Sequence, residues 1–252
     1  MRKDQGTFIQ VDGIDGAGKS TLLSAACAWA EQRHMRIFDV VAWSKQEKRL
    51  PTLQEVGDAD LLLTAEPSHA WIGAAIRDEI IRNGTPYHAR FAAQAFALDR
   101  GVQYRRLVLP FLQSRPNRWV LQDRGLLSSL AYQPLQSQQE VATDPSQQAV
   151  TIEWLLELDG NRIALDDPPD IFVFLDVDAR LAQERLAGRT AKIDDHRFDA
   201  FEFQHALASR YRDPTVSAPL TSRGTQLAII NGAQDKAEVA QAMVRLLENR
   251  AK

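Results

Sequence analysis

The chain has 252 residues, of which 44% are hydrophobic and 25% are charged, and its formal net charge is −3 at pH 7. This length suits one large α/β domain with insertions and is short for two domains. The slightly acidic balance gives no general electrostatic reason to bind nucleic acid or an anionic membrane, so we expect neither as a partner. The one cysteine, Cys27, fits a reducing compartment, and the sequence has neither a signal core nor a membrane span; we expect a cytoplasmic protein.

Apolar segments of strand length alternate with segments of helical pattern along the chain. The strand candidates are residues 8–11, 36–43, 61–64, 118–122, 170–177 and 227–230. The helix candidates are residues 20–33, 71–81, 89–113, 128–133, 147–158, 179–186, 201–211 and 236–249. This alternation predicts an α/β fold, a doubly wound parallel sheet of about five strands flanked by helices, with ligands at the carboxyl ends of the strands.

Polar segments interrupt this pattern. Residues 44–60, which include a proline and a glycine, are expected to form a surface insertion. A second insertion covers residues 137–168, and its Gln- and Ser-rich beginning, 137–146, is expected to be a mobile loop. Pro110 is expected to kink or shorten the end of the long helix 89–113. The whole of 1–252 is therefore interpreted as a single domain with insertions.

The stretch after the first strand carries the clearest chemistry. Residues 8–23 read FIQVDGIDGAGKSTLL, and its spacing G-x-x-x-x-G-K-[ST] is that of a phosphate-binding loop. Backbone N–H groups of such a loop converge on phosphate oxygens, and the next helix adds the positive end of its dipole. Lys19 is expected to reach the β- and γ-phosphates, and Ser20 to ligate Mg²⁺. The predicted nucleotide-binding residues are Gly13, Ile14, Asp15, Gly16, Ala17, Gly18, Lys19, Ser20 and Thr21.

A phosphate loop alone fits motors, GTPases, transporters and small kinases. The sequence lacks the guanine-reading N-K-x-D of GTPases. Its strands lead into Asp123-Arg124 and Asp176-Val177, whereas hydrolytic sites that drive motion usually have Asp-Glu. An acid followed at once by an arginine suits a second anionic substrate better than a water molecule.

Five motifs in order resemble the thymidylate kinase family across nearly the whole chain. They are FIQVDGIDGAGKSTLL (8–23), AEPSHAWIGAAIR (65–77), FALDR (96–100), LQDRGLLSSLAYQ (121–133) and PDIFVFLDVD (169–178). The resemblance implies a kinase of the P-loop NTPase type with a mobile lid. It also implies transfer of the γ-phosphoryl group of ATP to dTMP with Mg²⁺ as cofactor, and a homodimer.

The resemblance implies roles for individual acceptor-site residues. Asp15 matches the acid that contacts the sugar 3′-hydroxyl. Phe96 and Arg100 lie one helical turn apart and match the residues that stack on thymine and hydrogen-bond its carbonyl oxygen. Ser129 falls at a base contact, and Tyr132 at the position that packs against the sugar edge. Glu66 completes the substrate-binding set, which is Asp15, Glu66, Phe96, Arg100, Arg124, Ser129 and Tyr132.

Charged groups that stabilise phosphoryl transfer are expected in three parts of the sequence. Arg124 matches the arginine that grips the acceptor phosphate with its fork of donors. Asp123 would act through Mg²⁺-bound water or position that arginine, and is a predicted metal residue together with Ser20. Residues 188–199 resemble the lid, which must supply cations because the phosphate loop has no arginine of its own. The predicted catalytic residues are Lys19, Asp123, Arg124, Arg189 and Arg197, with Lys192 as a further lid cation.

Departures from the family pattern leave other interpretations open. Ala65 replaces the arginine common before Glu-Pro, and Gly125 replaces the aromatic residue after Asp-Arg. Glu66 could also be the base of a deoxynucleoside kinase, and the acceptor could be another deoxynucleoside monophosphate. A nucleotide-binding regulatory module with weak or no turnover is the alternative from a different class.

Overall fold

A parallel sheet of six strands forms the centre of the fold in the computed structural model, which describes residues 6–188, 198 and 201–251. The strand order is β2-β3-β4-β1-β5-β6, and every neighbouring pair is parallel. The strands are β1 (Thr7–Asp12), β2 (Ile37–Asp39), β3 (Leu61–Ala65), β4 (Trp119–Asp123), β5 (Ile171–Asp176) and β6 (Gln226–Asn231). The predicted doubly wound sheet is confirmed; about five strands were expected, and each of the six strand candidates contributes one.

Helices flank this sheet. They are α1 (Lys19–Gln32), α2 (Val40–Glu47), α3 (Leu53–Val56), α4 (Trp71–Ala75), α5 (Ala89–Gln103), α6 (Leu109–Ser114), α7 (Leu126–Thr143), α8 (Ile152–Glu157), α9 (Asp159–Asp166), α10 (Ala179–Ala187), α11 (Phe201–Arg212), α12 (Pro214–Thr221) and α13 (Lys236–Ala251). Two π-helical turns, Ile76–Ile80 after α4 and Tyr104–Val108 after α5, continue their helices. The second turn lies just before Pro110, whose missing N–H cannot complete an α-helical bond.

The central strand β1 explains why the sheet brings polar groups together at one edge. All six of its residues are buried, as expected for a parallel strand covered on both faces. Its apolar residues Phe8, Ile9 and Val11 belong to the core, whereas Asp12 ends the strand as a fully buried acid. Since β1 lies between β4 and β5, their carboxyl ends meet there. Val11 pairs in register with Asp123, and Asp123 pairs with Ala65 of β3.

The structure gives more detail for two segments in the first half of the chain, and one strand prediction there is wrong in its extent. The strand predicted over 36–43 ends at Asp39, because the Asp39 side chain accepts a hydrogen bond from Ala42 N and caps α2. The segment 44–60 also contains helix: α3 begins at a reciprocal capping box between Thr52 and Glu55. Polar residues therefore cap helices α2 and α3 in this region.

The predicted loop 137–146 is likewise mostly helical. Helix α7 continues to Thr143, and the Ser137 hydroxyl accepts a hydrogen bond from Val150 N. The helix predicted over 147–158 begins only at Ile152, after the Thr151 cap. Helices α9 and α12 were not predicted. Helix α9 is mostly polar and begins with Asp-Gly-Asn, residues typical of a turn, and α12 has Pro219 in its interior, which disfavours a helix.

Candidate active site

The phosphate loop, residues 13–18, joins the carboxyl end of β1 to the first turn of α1. Gly13, Gly16 and Gly18 have φ angles of +151°, +80° and +104°, a region that side chains disfavour. A Cβ atom at Gly16 would lie 2.2 Å from Ala182 O of α10, so only glycine fits against that helix. Ile14 and Ala17 are buried and fix the loop to the core. The backbone therefore forms the cradle that the motif predicts.

Lys19 folds back over this cradle. Its Nζ donates hydrogen bonds to Gly13 O and Ile14 O, both at 3.1 Å. Burial, reinforced by the charge of Arg124 and opposed by nearby carboxylates, lowers the pKa of the Lys19 ammonium. The ammonium is thus held at the loop, where a phosphate oxygen would favour its charged form.

Arg124 approaches the same loop from the end of β4. Its backbone adopts a left-handed conformation, φ +67°, held by a hydrogen bond of 2.8 Å from Arg124 N to Val11 O. Its Nη1 donates to Asp12 Oδ1 at 3.2 Å and to Gly13 O at 3.3 Å, and its Nη2 donates to Asp15. Lys19 and Arg124 therefore share the Gly13 carbonyl, so two cations converge on one point of the loop.

Asp12 is a site residue that sequence reasoning missed. It is fully buried, and its carboxylate accepts hydrogen bonds from Gly13 N at 2.8 Å, Ser128 Oγ at 2.6 Å and Tyr211 Oη at 2.8 Å. Burial raises its pKa, against the opposing charge of Arg124. In the sequence, only its position at the end of an apolar strand could have indicated that Asp12 belongs to the site. Its contacts connect β1, α7 and α11 beneath Arg124.

Asp15 also lies among polar partners, and one of them was not predicted. Its Oδ2 accepts from Gln204 Nε2 at 3.2 Å and from Tyr132 Oη at 3.4 Å, and its backbone N–H donates to Gln204 Oε1 at 3.2 Å. Burial disfavours its charge, but Arg124 and Lys19 outweigh burial and lower the pKa of Asp15. Asp15, Lys19, Arg124 and Tyr132, all of them predicted site residues, thus lie in one cluster.

Comparison with known proteins shows the family of the chain. A family model described as "Thymidylate kinase" matches residues 46–241. The chain belongs to the thymidylate kinase family. A probable thymidylate kinase of Thermococcus gammatolerans is 27% identical over 251 residues, which cover 96% of each chain. The corresponding protein of Thermococcus kodakarensis is 29% identical, and a thymidylate kinase of Nitrosomonas europaea is 26% identical over 97% of this chain and 94% of its own.

In this member of the thymidylate kinase family, a second cluster of predicted site residues lies around Arg100. The Arg100 side chain is fully buried; its Nε donates to Glu66 Oε2 at 2.9 Å and its Nη2 donates to Ser129 Oγ at 2.9 Å. Nη1 donates to Asn161 Oδ1, on the unpredicted helix α9. Phe96 lies one turn earlier on α5 and is partly buried against the core. The predicted Glu66, Arg100 and Ser129 are therefore together.

Glu66 links the two clusters. Its second oxygen accepts from Gln122 Nε2 at 3.0 Å, and the same Nε2 donates to Arg124 O at 3.0 Å. Burial raises the pKa of Glu66 to about 7, although Arg100 opposes the shift. Since Arg100 and Gln122 occupy both of its oxygens, Glu66 positions other residues in this structure.

Two residues fit the expected Mg²⁺ site. Ser20 is exposed in the first turn of α1, and Asp123 Oδ1 is buried without a hydrogen-bond partner among the described residues. No group of three or more His, Cys, Asp or Glu side chains in this part of the chain could hold a metal. A cation here would need phosphate oxygens as further ligands, which is how Mg²⁺ commonly binds with nucleotides.

The structure also explains the departures from the family pattern. A Cβ atom at Gly125 would lie 2.5 Å from the buried Gln10 side chain, which leaves no room for an aromatic residue. Ala65 has no charge, but Arg77 places a guanidinium in the following loop, where its Nε donates to Pro67 O at 2.9 Å. Burial lowers the pKa of Arg77, and Asp123 opposes this. The predicted lid residues Arg189, Lys192 and Arg197 lie outside the described residues.

No helix in the described ranges has both the length and the apolar character needed to span a lipid bilayer.

Proposed function

We propose that this chain transfers the γ-phosphoryl group of Mg·ATP to dTMP, giving dTDP and ADP. The observation that carries the proposal is the convergence of Lys19 and Arg124 on Gly13 O, at 3.1 and 3.3 Å. Phosphoryl transfer needs two anions held end to end and little proton chemistry, so catalysis is chiefly positioning and charge stabilisation. Two cations that meet at one point of a phosphate loop, one from α1 and one from the end of β4, suit that need.

Residues 13–21 would bind the triphosphate of ATP. The loop N–H groups and the dipole of α1 face the phosphates, and Lys19 would exchange its carbonyl partners for phosphate oxygens. Ser20 and Asp123 would hold Mg²⁺, which neutralises charge on the β- and γ-phosphate oxygens when bound. The lid cations Arg189 and Arg197 would complete the charge around the transferred group.

The acceptor dTMP would lie between the two clusters. Arg124 would bind its phosphate, and Asp15 and Tyr132 would contact its sugar. Phe96 would stack on the base, and Arg100, held by Glu66 and Ser129, would donate to a ring carbonyl. The hydrogen-bond chain from Glu66 through Gln122 to Arg124 O supports this arrangement, because it ties the base end of the site to the phosphate end.

The deoxynucleoside kinase alternative is disfavoured by Glu66. That reaction requires a base free to accept a proton from a 5′-hydroxyl. Both oxygens of Glu66 accept hydrogen bonds from protein donors, Arg100 and Gln122. Glu66 is therefore better suited to hold Arg100 in place than to accept a proton from a substrate hydroxyl.

An acceptor panel tests the proposal. Purified protein with Mg·ATP would be given dTMP, dUMP, dCMP, dGMP, dAMP and thymidine, and ADP and each product would be quantified. We expect dTDP and ADP in equal amounts, with Lys19→Ala as the control for contaminating kinases. Turnover of thymidine without dTMP would favour the deoxynucleoside kinase, and ATP binding without any ADP would favour the regulatory module.

We further propose a cytoplasmic homodimer formed through α5. Phe91 and Leu98 are seven residues apart on this helix and 50% and 57% exposed, and Ala95 and Val102 lie between and beyond them on the same face. Such an apolar stripe at heptad spacing suits packing against a second copy of the same helix. The proposed dimer would leave Phe96 and Arg100 on the inner side of α5.

A further inference from the structure

Most hydrogen-bond donors of the Arg100 guanidinium are occupied by protein acceptors, so few remain for a nucleotide base. One of these acceptors is on helix α9. A guanidinium carries five N–H donors. Nε donates to Glu66 Oε2 at 2.9 Å, and Nη2 donates to Ser129 Oγ at 2.9 Å and lies 2.7 Å from Glu66 Oε2 in an ion pair. Asn161 Oδ1 takes one Nη1 proton. One Nη1 proton therefore remains without a partner among the described residues.

The Asn161 amide is held in one orientation. The side chain is 1% exposed, and its Nδ2 donates to Leu155 O at 2.7 Å. An amide with its NH₂ group committed to a carbonyl must direct its oxygen the other way. In this structure that direction is toward Arg100, so Asn161 acts on Arg100 only as an acceptor.

Helix α9 reaches Arg100 because two glycines let its backbone approach α5 closely. A Cβ atom at Gly160 would lie 1.6 Å from Ala97 O, and one at Gly101 would lie 3.1 Å from Gly160 Cα. Residues 159–166 fall within the segment 137–168 that the sequence marks as an insertion. The close contact brings Asn161, next to Gly160, within hydrogen-bonding reach of a residue on the inner side of α5.

We propose that Asn161 is a positioning residue for base selection, an inference that rests on the proposed function. By accepting one Nη1 proton it leaves Arg100 a single free donor in a fixed direction. A lone buried donor accommodates a carbonyl oxygen, as thymine has at position 4, and opposes the amino group that cytosine has there. The insertion 137–168 thereby contributes to acceptor specificity without touching the substrate.

The test compares acceptors on the same protein sample. In Asn161→Leu and Asn161→Ala, Arg100 gains a second free donor and freedom to turn. We expect the ratio of kcat/KM for dTMP to that for dCMP to fall at least about tenfold, mainly through a higher KM for dTMP. Asn161→Asp keeps an acceptor facing Arg100 and should hold the ratio within about threefold of wild type.

A control separates base selection from loosened packing. Leu165→Ala also removes a buried contact of α9, since Leu165 is 5% exposed, but leaves Asn161 in place. It should lower the melting temperature and keep the acceptor ratio. An unchanged ratio in both Asn161→Leu and Asn161→Ala, or an equal fall in Leu165→Ala, would overturn the inference. A wild-type protein that makes no dTDP would instead overturn the proposed function, and this inference with it.

Discussion

At the scale of single residues, Glu66 is the group whose ionisation has the clearest consequence. It is buried between Arg100 and Gln122, and its pKa in the folded protein is about 7, against an ordinary value of 4.5. The folded state therefore retains a proton that the unfolded state loses between these values. The stabilisation is complete below pH 4.5 and is lost as pH rises through 7.

This linkage predicts the effect of Glu66→Gln. As pH rises from 5 to 7, the unfolding free energy of wild type should fall relative to the variant by about 1.4 kcal/mol per pH unit, because only wild type has this proton to lose. Urea denaturation at pH 5, 6, 7 and 8 measures the difference. Parallel pH profiles for the two proteins would show that Glu66 does not titrate in this range.

Phe96 is the residue proposed to stack on the acceptor base. Phe96→Ala should lower kcat/KM for dTMP roughly tenfold to a hundredfold, since stacking of one base on an aromatic ring contributes about 1–3 kcal/mol. Steady-state kinetics with saturating ATP provides the measurement. Phe38→Ala removes another partly buried ring from the distant strand β2 and should leave kcat/KM unchanged. Equal kinetics for Phe96→Ala and wild type would refute the stacking role.

The residues predictable from sequence were those that local spacing defines. The loop motif places Lys19 beside Gly13, and Asp-Arg at a strand end places Arg124 nearby, which the structure agrees with. Asn161 and Gln204 could not be predicted, because each meets its partner across a long stretch of chain. Their roles depend on helix packing, which leaves no short-range pattern in the sequence.

At the scale of elements, the contact of α9 with α5 depends on glycine. Gly160→Ala would place a Cβ atom 1.6 Å from Ala97 O, so the helices must separate. We expect a loss of about 1–3 kcal/mol in unfolding free energy, measured by urea denaturation. Gly188→Ala is the matched control, because its nearest neighbour would lie at 3.6 Å and its φ is −76°. Equal stability of both variants would contradict the close-packing account.

The elements themselves were predicted best where burial dominates. β5 is apolar at its five buried positions, and β1 contributes the apolar residues Phe8, Ile9 and Val11 to the core; this apolar content was enough to recognise both strands. The extents of β2 and α7 differ from the prediction because side-chain hydrogen bonds act there: Asp39 caps α2 and so ends β2, and Ser137, inside the polar part of α7, is buried and accepts from Val150 N. The amino-acid composition of a segment therefore predicts a buried strand well, but it does not show which polar side chains will cap a helix.

At the scale of the whole molecule, the proposed dimer gives a prediction of mass. Phe91→Glu combined with Leu98→Glu introduces charges into the exposed stripe of α5 and should convert a dimer into a monomer of 28.3 kDa. Sedimentation equilibrium measures this. Leu227→Glu with Ile229→Glu charges another exposed apolar pair, on β6, and should leave the mass unchanged. A wild-type protein of 28.3 kDa at micromolar concentration would rule out the dimer.

The order of the sheet explains why the two substrates would meet at one edge. β1 lies beside β4, so the phosphate loop after one strand and Arg124 after the other are neighbours in space although far apart in sequence. Donor and acceptor phosphates would then be bound by separate cations. Binding of the two phosphates by separate cations distinguishes a kinase with an anionic acceptor from a protein that binds one nucleotide alone.

Calorimetric titration of ATP and dTMP into wild type, Lys19→Ala and Arg124→Ala tests that claim most directly. Loss of a phosphate-binding cation should weaken its own ligand at least about 30-fold, equivalent to ~2 kcal/mol. We predict that Lys19→Ala weakens ATP and keeps dTMP within about threefold, and that Arg124→Ala does the reverse. Unchanged dTMP affinity in Arg124→Ala would contradict the account.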